Sequence, residues 1–220
     1  STPMAWAMMT WPLRRDDEPG HRFSRPRHPL YDLLGVRYVM TEPGVVLPFK
    51  LAFQDPAGWI YERPWWLPRL FLPERAVAYR GGAWWDWLEA NRDFAKRSLV
   101  QSIPGQGDLW RAGRPRQSDL ALALLEPEHV RARVRLAETR LLASSIFQDG
   151  HWHVLAGGKR QRAVLADGPL VGVWLPAGEQ RVDLVYRPEL FVTGCAFAAL
   201  SLAAAAICWV PRPRPTPRRL

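Results

Sequence analysis

Adjacent tryptophans are the residues of this chain best suited to chemistry. Trp65-Trp66 and Trp84-Trp85, with Trp87 close behind, belong to a set of 12 in 220 residues. Flat indoles stack on sugar rings, settle at membrane interfaces, or pack cores. Trp65, Trp66, Trp84 and Trp85 are therefore the candidate contacts for a sugar or a lipid. His151 and His153 flank Trp152 and share one strand face. Two histidines can begin a zinc site, but a third ligand is needed and the spacing supplies none. The run Arg14-Arg15-Asp16-Asp17-Glu18 also lacks ligand spacing and reads as a solvated loop. No metal or cofactor is assigned to the chain. No Ser/His/Asp triad or phosphate loop can be placed, and no carboxylate pair is set apart as acid and base. No catalytic residue is assigned either.

Two kinds of element must position these side chains. Residues 1–29 are rich in Pro, Arg and acids and read as irregular. Residues 30–102 read as a small α+β unit. Its elements are a helical turn in YDLLG, a strand over Arg37–Met40, and paired strands around Asp55-Pro56-Ala57-Gly58. One or two strands in LPRLFLPERAVAYR complete its β part. From Ala83 to Ser102, Trp84, Trp87, Leu88, Asn91, Phe94, Ala95 and Leu99 recur at helical spacing, which predicts one amphipathic helix. Residues 103–119 read as a linker.

Residues 120–189 read as an all-β antiparallel sandwich. In VRARVRL, Val130, Ala132, Val134 and Leu136 take one face, while Arg131, Arg133 and Arg135 take the other. The basic face is expected to be simply solvated. LLASSIF, HWHVLA, KRQRAVLA, LVGVWLP and QRVDLVYRP follow. Their turns are Gln148-Asp149-Gly150, Gly157-Gly158, Asp167-Gly168 and Pro176-Ala177-Gly178, each with the glycine that a tight hairpin requires.

The segment 190–210 is uncharged: LFVTGCAFAALSLAAAAICWV. At 1.5 Å per residue it reaches about 30 Å, the thickness of a bilayer's hydrocarbon core. It is expected to be a transmembrane α-helix, with the lipid bilayer as a partner. The tail 211–220 carries Arg212, Arg214, Arg218 and Arg219 and no acid, which places it in the cytoplasm by the positive-inside rule. Residues 1–189 are then extracytoplasmic. The N-terminal stretch offers no signal peptide or span to carry them across, so upstream membrane helices of the same protein are expected. Cys195 and Cys208 both lie in this segment, 13 apart on one helix, too far to pair with each other. The net charge of +9 and pI of about 10.3 invite a nucleic-acid reading. Four of the charges sit in the tail and no basic stripe or known motif organises the rest, so no nucleic-acid partner is expected.

Taken in order, these motifs resemble the C-terminal extracytoplasmic region and last membrane helix of the YfhO family of bacterial membrane proteins. The resemblance is carried by Leu33-Leu34-Gly35-Val36-Arg37-Tyr38-Val39 and by Tyr61-Glu62-Arg63-Pro64 with Leu67-Pro68-Arg69. Further along it is carried by Asp149-Gly150-His151-Trp152, Gly157-Gly158-Lys159, Leu175-Pro176-Ala177-Gly178-Glu179 and Val182-Asp183-Leu184-Val185-Tyr186-Arg187-Pro188. It covers the chain from Leu30 to the end of the apolar segment. His151 intervenes where the family has Gly directly before Trp, and Gly157-Gly158 stands where it has Asp-Gly. The resemblance implies a multi-pass protein of the cell membrane similar to GT-C glycosyltransferases. These take sugar from a polyprenyl-phosphate donor to an extracytoplasmic glycan or glycolipid acceptor. Their catalytic carboxylate lies in an early outer loop that this chain does not contain. The chain is thus expected to be a non-catalytic part that shapes the acceptor site or, alternatively, a binding or scaffolding module without transferase activity.

Overall fold

The run VRARVRL forms the strand that its alternation dictates, and strands dominate the computed structural model. The structure describes residues 27–79, 84–91, 93–103, 109–111 and 119–209. The first half contains α1 (Leu30–Leu33), β1 (Tyr38–Thr41), β2 (Lys50–Gln54), β3 (Trp59–Glu62), β4 (Leu70–Phe71), β5 (Arg75–Ala78), α2 (Trp84–Ala90), β6 (Arg97–Val100) and β7 (Leu109–Arg111). The second half contains β8 (Leu120–Leu125), β9 (His129–Leu136), β10 (Arg140–Phe147), β11 (Trp152–Ala156), β12 (Lys159–Gln161), β13 (Ala163–Ala166), β14 (Leu170–Leu175) and β15 (Gly178–Tyr186). The helix α3 (Glu189–Trp209) follows. The chain divides into two compact units, Ser1–Tyr186 and Arg187–Leu220.

Three sheets make up the first unit. Their orders are β1-β3-β2, β4-β10-β14-β13-β6-β5-β7 and β12-β11-β15-β9-β8. The seven- and five-stranded sheets face each other as a sandwich. Between them pack Val130, Val134, Val182 and Leu184 from one sheet and Leu142, Ile146, Val171 and Val173 from the other. The seven-stranded sheet is also covered on its far side. Leu141, Ala143, Val164 and Ala166 meet Leu30, Leu33, Leu88 and Phe94 there. This two-sided burial explains why LLASSIF and LVGVWL lack alternation, since both of their faces must be apolar.

The seven-stranded sheet crosses the expected linker. β4 pairs with β10, and β6 meets β13 at Ala166↔Val100, so strands from residues 30–102 and 120–189 share one sheet. The α+β unit and the sandwich therefore have no separate cores.

Three local expectations are corrected. The helix over Ala83–Ser102 ends at Ala90, and Arg97–Val100 becomes a strand parallel to β5. Asn91 breaks it: its buried side chain donates to Arg97 O at 2.9 Å, fixing a turn where the periodicity alone would continue the helix. KRQRAVLA is two strands, not one. β12 belongs to the five-stranded sheet and β13 to the seven-stranded sheet, with Arg162 at the crossing. The turns at Gln148-Asp149-Gly150 and Pro176-Ala177-Gly178 also carry the chain between sheets and are not hairpins. The expected hairpins form at Gly157-Gly158 and at Asp167-Gly168. Gly157 and Gly158 have φ of 57° and 78°, the paired positive values of a type I′ turn.

α3 begins and ends one residue before the segment 190–210 expected from sequence. Phe191, Phe197, Leu200 and Leu202 on it are exposed. Side chains at 189, 190, 192 and 206–209 lie outside the described residues. Among the described residues no helix is long and apolar enough to cross a membrane, so the transmembrane helix expected from sequence is not established by the structure.

Gly172, opposite Val164, is closely enclosed on the far side of the seven-stranded sheet. A Cβ there would stand 2.9 Å from Ala166 Cβ and 3.4 Å from Leu141 Cδ1. Gly172→Val should therefore destabilise the fold by about 1–3 kcal/mol through overpacking. The midpoint of urea unfolding of the chain measures this, and an unchanged midpoint would contradict the packing described.

Candidate functional site

The turn after β3 is pinned at both ends, and this fixes Trp65 and Trp66 at the surface. Before them, Arg63 N donates to Arg37 O at 2.8 Å. The Arg63 guanidinium is fully buried, pairs with Asp32, and lies 5.1 Å from the Tyr31 ring centroid and 5.2 Å from that of Phe49. After them, Leu67 N donates to Asp32 O at 3.0 Å. Asp32 thus holds both sides of the turn. Burial raises its pKa, opposed by the hydrogen bond and charge of Arg63.

Between these anchors Trp65 is 58% exposed and Trp66 37%. Arg37 lies 5.1 Å from the centroids of both Tyr38 and Trp66. Glu62 Oε1 accepts from its Nε at 3.0 Å and its Nη2 at 2.9 Å. That hydrogen bond raises the Arg37 pKa further and fixes the guanidinium between two aromatic rings. On the face of the three-stranded sheet that carries Tyr38 and Glu62, Met40 and Phe53 are also exposed, while Leu51 is on the opposite face and Val46 is in the β1–β2 loop. Trp66, Tyr38, Met40 and Phe53 thus give an aromatic, partly apolar surface around the guanidinium of Arg37. Such a surface can stack against a ring or dock a partner.

Of the four tryptophans singled out from sequence, two therefore stand at this surface. Trp84 and Trp85 lie in α2, and their side chains are outside the described residues. The Arg14–Glu18 run is also outside them. His151 meets Tyr186 edge-on at 5.9 Å, and Tyr186 donates to Asp149 Oδ2 at 3.0 Å. His153 stands opposite Val185 on β15. Among the described residues no group of three His, Cys, Asp or Glu side chains could hold a metal ion. Sequence reasoning missed Arg37, Tyr38 and Glu62 as parts of the surface. Their signal was the opposed charges of Arg37 and Glu62, but the pairing of β1, which Arg37 precedes, with β3 was not expected from the sequence.

The most perturbed carboxyl is not at this surface. Asp167, at the β13–β14 turn, has a φ of 46° and is fully buried. It accepts from Ser98 Oγ at 2.7 Å and Leu99 N at 2.8 Å. Burial pushes its pKa up to about 7, although these hydrogen bonds favour the ionised form. It ties the turn to β6 and has no open face for a substrate. No protein family, curated protein or solved structure matches the chain.

Asp167 carries a pH dependence of known sign. Its folded pKa of about 7 lies above the ordinary 3.8, so folding favours the protonated form. Its contribution is full below about pH 3.8 and is lost as pH rises through 7. Asp167→Asn cannot titrate and tolerates positive φ. Unfolding midpoints taken from pH 4 to 8 should fall less steeply in the variant than in the wild type, and equal slopes would refute this.

Proposed function

We propose that the chain is a non-catalytic, extracytoplasmic binding module of a multi-pass bacterial membrane protein similar to polyprenyl-phosphate-dependent glycosyltransferases of the cell envelope. In this reading its aromatic surface contacts a glycan or glycolipid acceptor. The observation that carries the reading is the pair Trp65 and Trp66, held exposed by a buried ion pair beneath them. Apolar side chains left at a surface by a rigid turn are characteristic of binding sites. Asp32 and the buried Asp167 are occupied in holding turns, and the buried Asp183 is occupied by His129, Arg131 and Arg181. Membrane attachment rests on the uncharged segment 190–210 and on the four arginines after it.

A scaffolding role without transferase activity is the second reading. The exposed Met40 and Phe53 on the same sheet face as Tyr38 favour it, since exposed apolar side chains also suit a protein partner.

Two experiments test these readings. Trp65→Ala combined with Trp66→Ala should weaken binding of envelope glycolipid to the detergent-solubilised chain by about tenfold or more. The unfolding midpoint should stay within about 1 kcal/mol, because neither ring is buried. Undiminished binding would leave only the scaffolding reading. A reporter fused after Leu220 in the native gene tests topology. A fluorescent protein should mature there, and alkaline phosphatase should be inactive. Phosphatase activity would overturn the extracytoplasmic assignment of residues 1–189.

A further inference from the structure

The outer face of the five-stranded sheet offers a different chemistry. Val182 and Leu184 point into the core, so Arg181 and Asp183 point outward. The register sets Asp183 opposite Arg131 and Arg181 opposite Arg133. Asp183 Oδ1 accepts from His129 Nε2 at 2.7 Å and from Arg131 Nε at 2.6 Å, and Oδ2 accepts from Arg181 Nε at 2.8 Å. Arg133 is exposed, and its side chain has no hydrogen bond or ion pair among the described residues.

One carboxylate thus holds two guanidinium groups, each through its Nε. The terminal Nη nitrogens of both remain available, and these are the donors that grip two oxygens of an oxyanion. A third guanidinium stands directly across the strand pair, where like charges oppose folding. A solvated face gains nothing from such crowding, whereas a bound anion relieves it.

We propose that Arg131, Arg133 and Arg181, positioned by Asp183, form a binding site for a phosphate ester. The site stands on the sandwich alone and is independent of the glycan-binding reading and of any membrane span. The shared chemistry is the phosphoryl group, carried either on a soluble polyol phosphate or on a lipid headgroup.

The test uses the full chain in zwitterionic detergent, titrated calorimetrically with glycerol phosphate. In parallel it is titrated with mixed micelles containing phosphatidylglycerol, against phosphatidylcholine as control. Saturable binding to either phosphate supports the site and identifies its source, while binding to neither overturns it. Arg133→Gln should weaken binding by about tenfold, the loss of one charge-assisted hydrogen bond. Arg75→Gln removes the same charge from an exposed residue of the seven-stranded sheet and should change binding less than about twofold. Equal losses in the two variants would mean diffuse attraction and overturn the site. Asp183→Asn gives the sharpest contrast. It makes the face more positive, so unstructured attraction would strengthen, whereas a site that needs its arginines positioned would weaken by tenfold or more. If Asp183→Asn does not fold, the exposed Arg133 and Arg75 pair decides alone.

Discussion

A sheet buried on both faces cannot be completed by its own strands, and this constraint organises the chain up to Tyr186. β10 and β14 present apolar side chains in both directions. One side is closed by the five-stranded sheet. The other must be closed by α1, α2 and the segment around Phe94, all of which precede the sandwich strands in sequence. The first half is therefore not an appendage. It supplies the second cover as well as four strands of the same sheet. Burying about 25 cal/mol of stabilisation per Å² on each side makes this closure the dominant favourable contribution.

The same constraint dictates what happens to polar groups. A buried donor or acceptor without a partner costs about 1–3 kcal/mol, so each irregularity in the sheet carries its own satisfaction. Where the β10–β14 register shifts between Ala143 and Phe147, Ser144 Oγ donates to Val171 O at 2.7 Å and accepts from Ile146 N at 3.2 Å. Where β13 turns into β14, Asp167 serves β6. Where the chain leaves β3, Arg63 is enclosed by two rings and a carboxylate. These polar groups fasten turns to the core.

Much of this was legible in the sequence because one-sided burial leaves a period-two signature. β9, the Gly157-Gly158 and Asp167-Gly168 hairpins and the β2–β3 turn follow from it directly. The changes of sheet were not legible, because a glycine turn between sheets and a glycine hairpin use the same backbone freedom. The division into two domains misread composition as topology. The overlong helix misread Phe94 and Leu99, whose burial comes from a turn and a strand, as one continuing stripe. At the candidate site the sequence marked Trp65 and Trp66 but not what holds them. Arg63 and Asp32 are 31 residues apart, and only the fold brings them together.

Groups that fasten turns are not free to do chemistry. Asp32 and Asp167 are committed to the folded state, and moving a proton or a ligand at either would loosen the turn that it secures. What the fold leaves uncommitted lies on its two outer surfaces, and they differ in kind. The three-stranded sheet presents aromatic and apolar side chains around a single fixed guanidinium, suited to rings and apolar partners. The five-stranded sheet presents Arg131, Arg133, Arg135 and Arg181 against Asp183 and Glu179, suited to anions. Under the two proposals above, a ligand that carries both a sugar ring and a phosphate would suit both surfaces. Two separate surfaces of modest affinity on one compact unit bind such a ligand more tightly than either alone where its length spans them both.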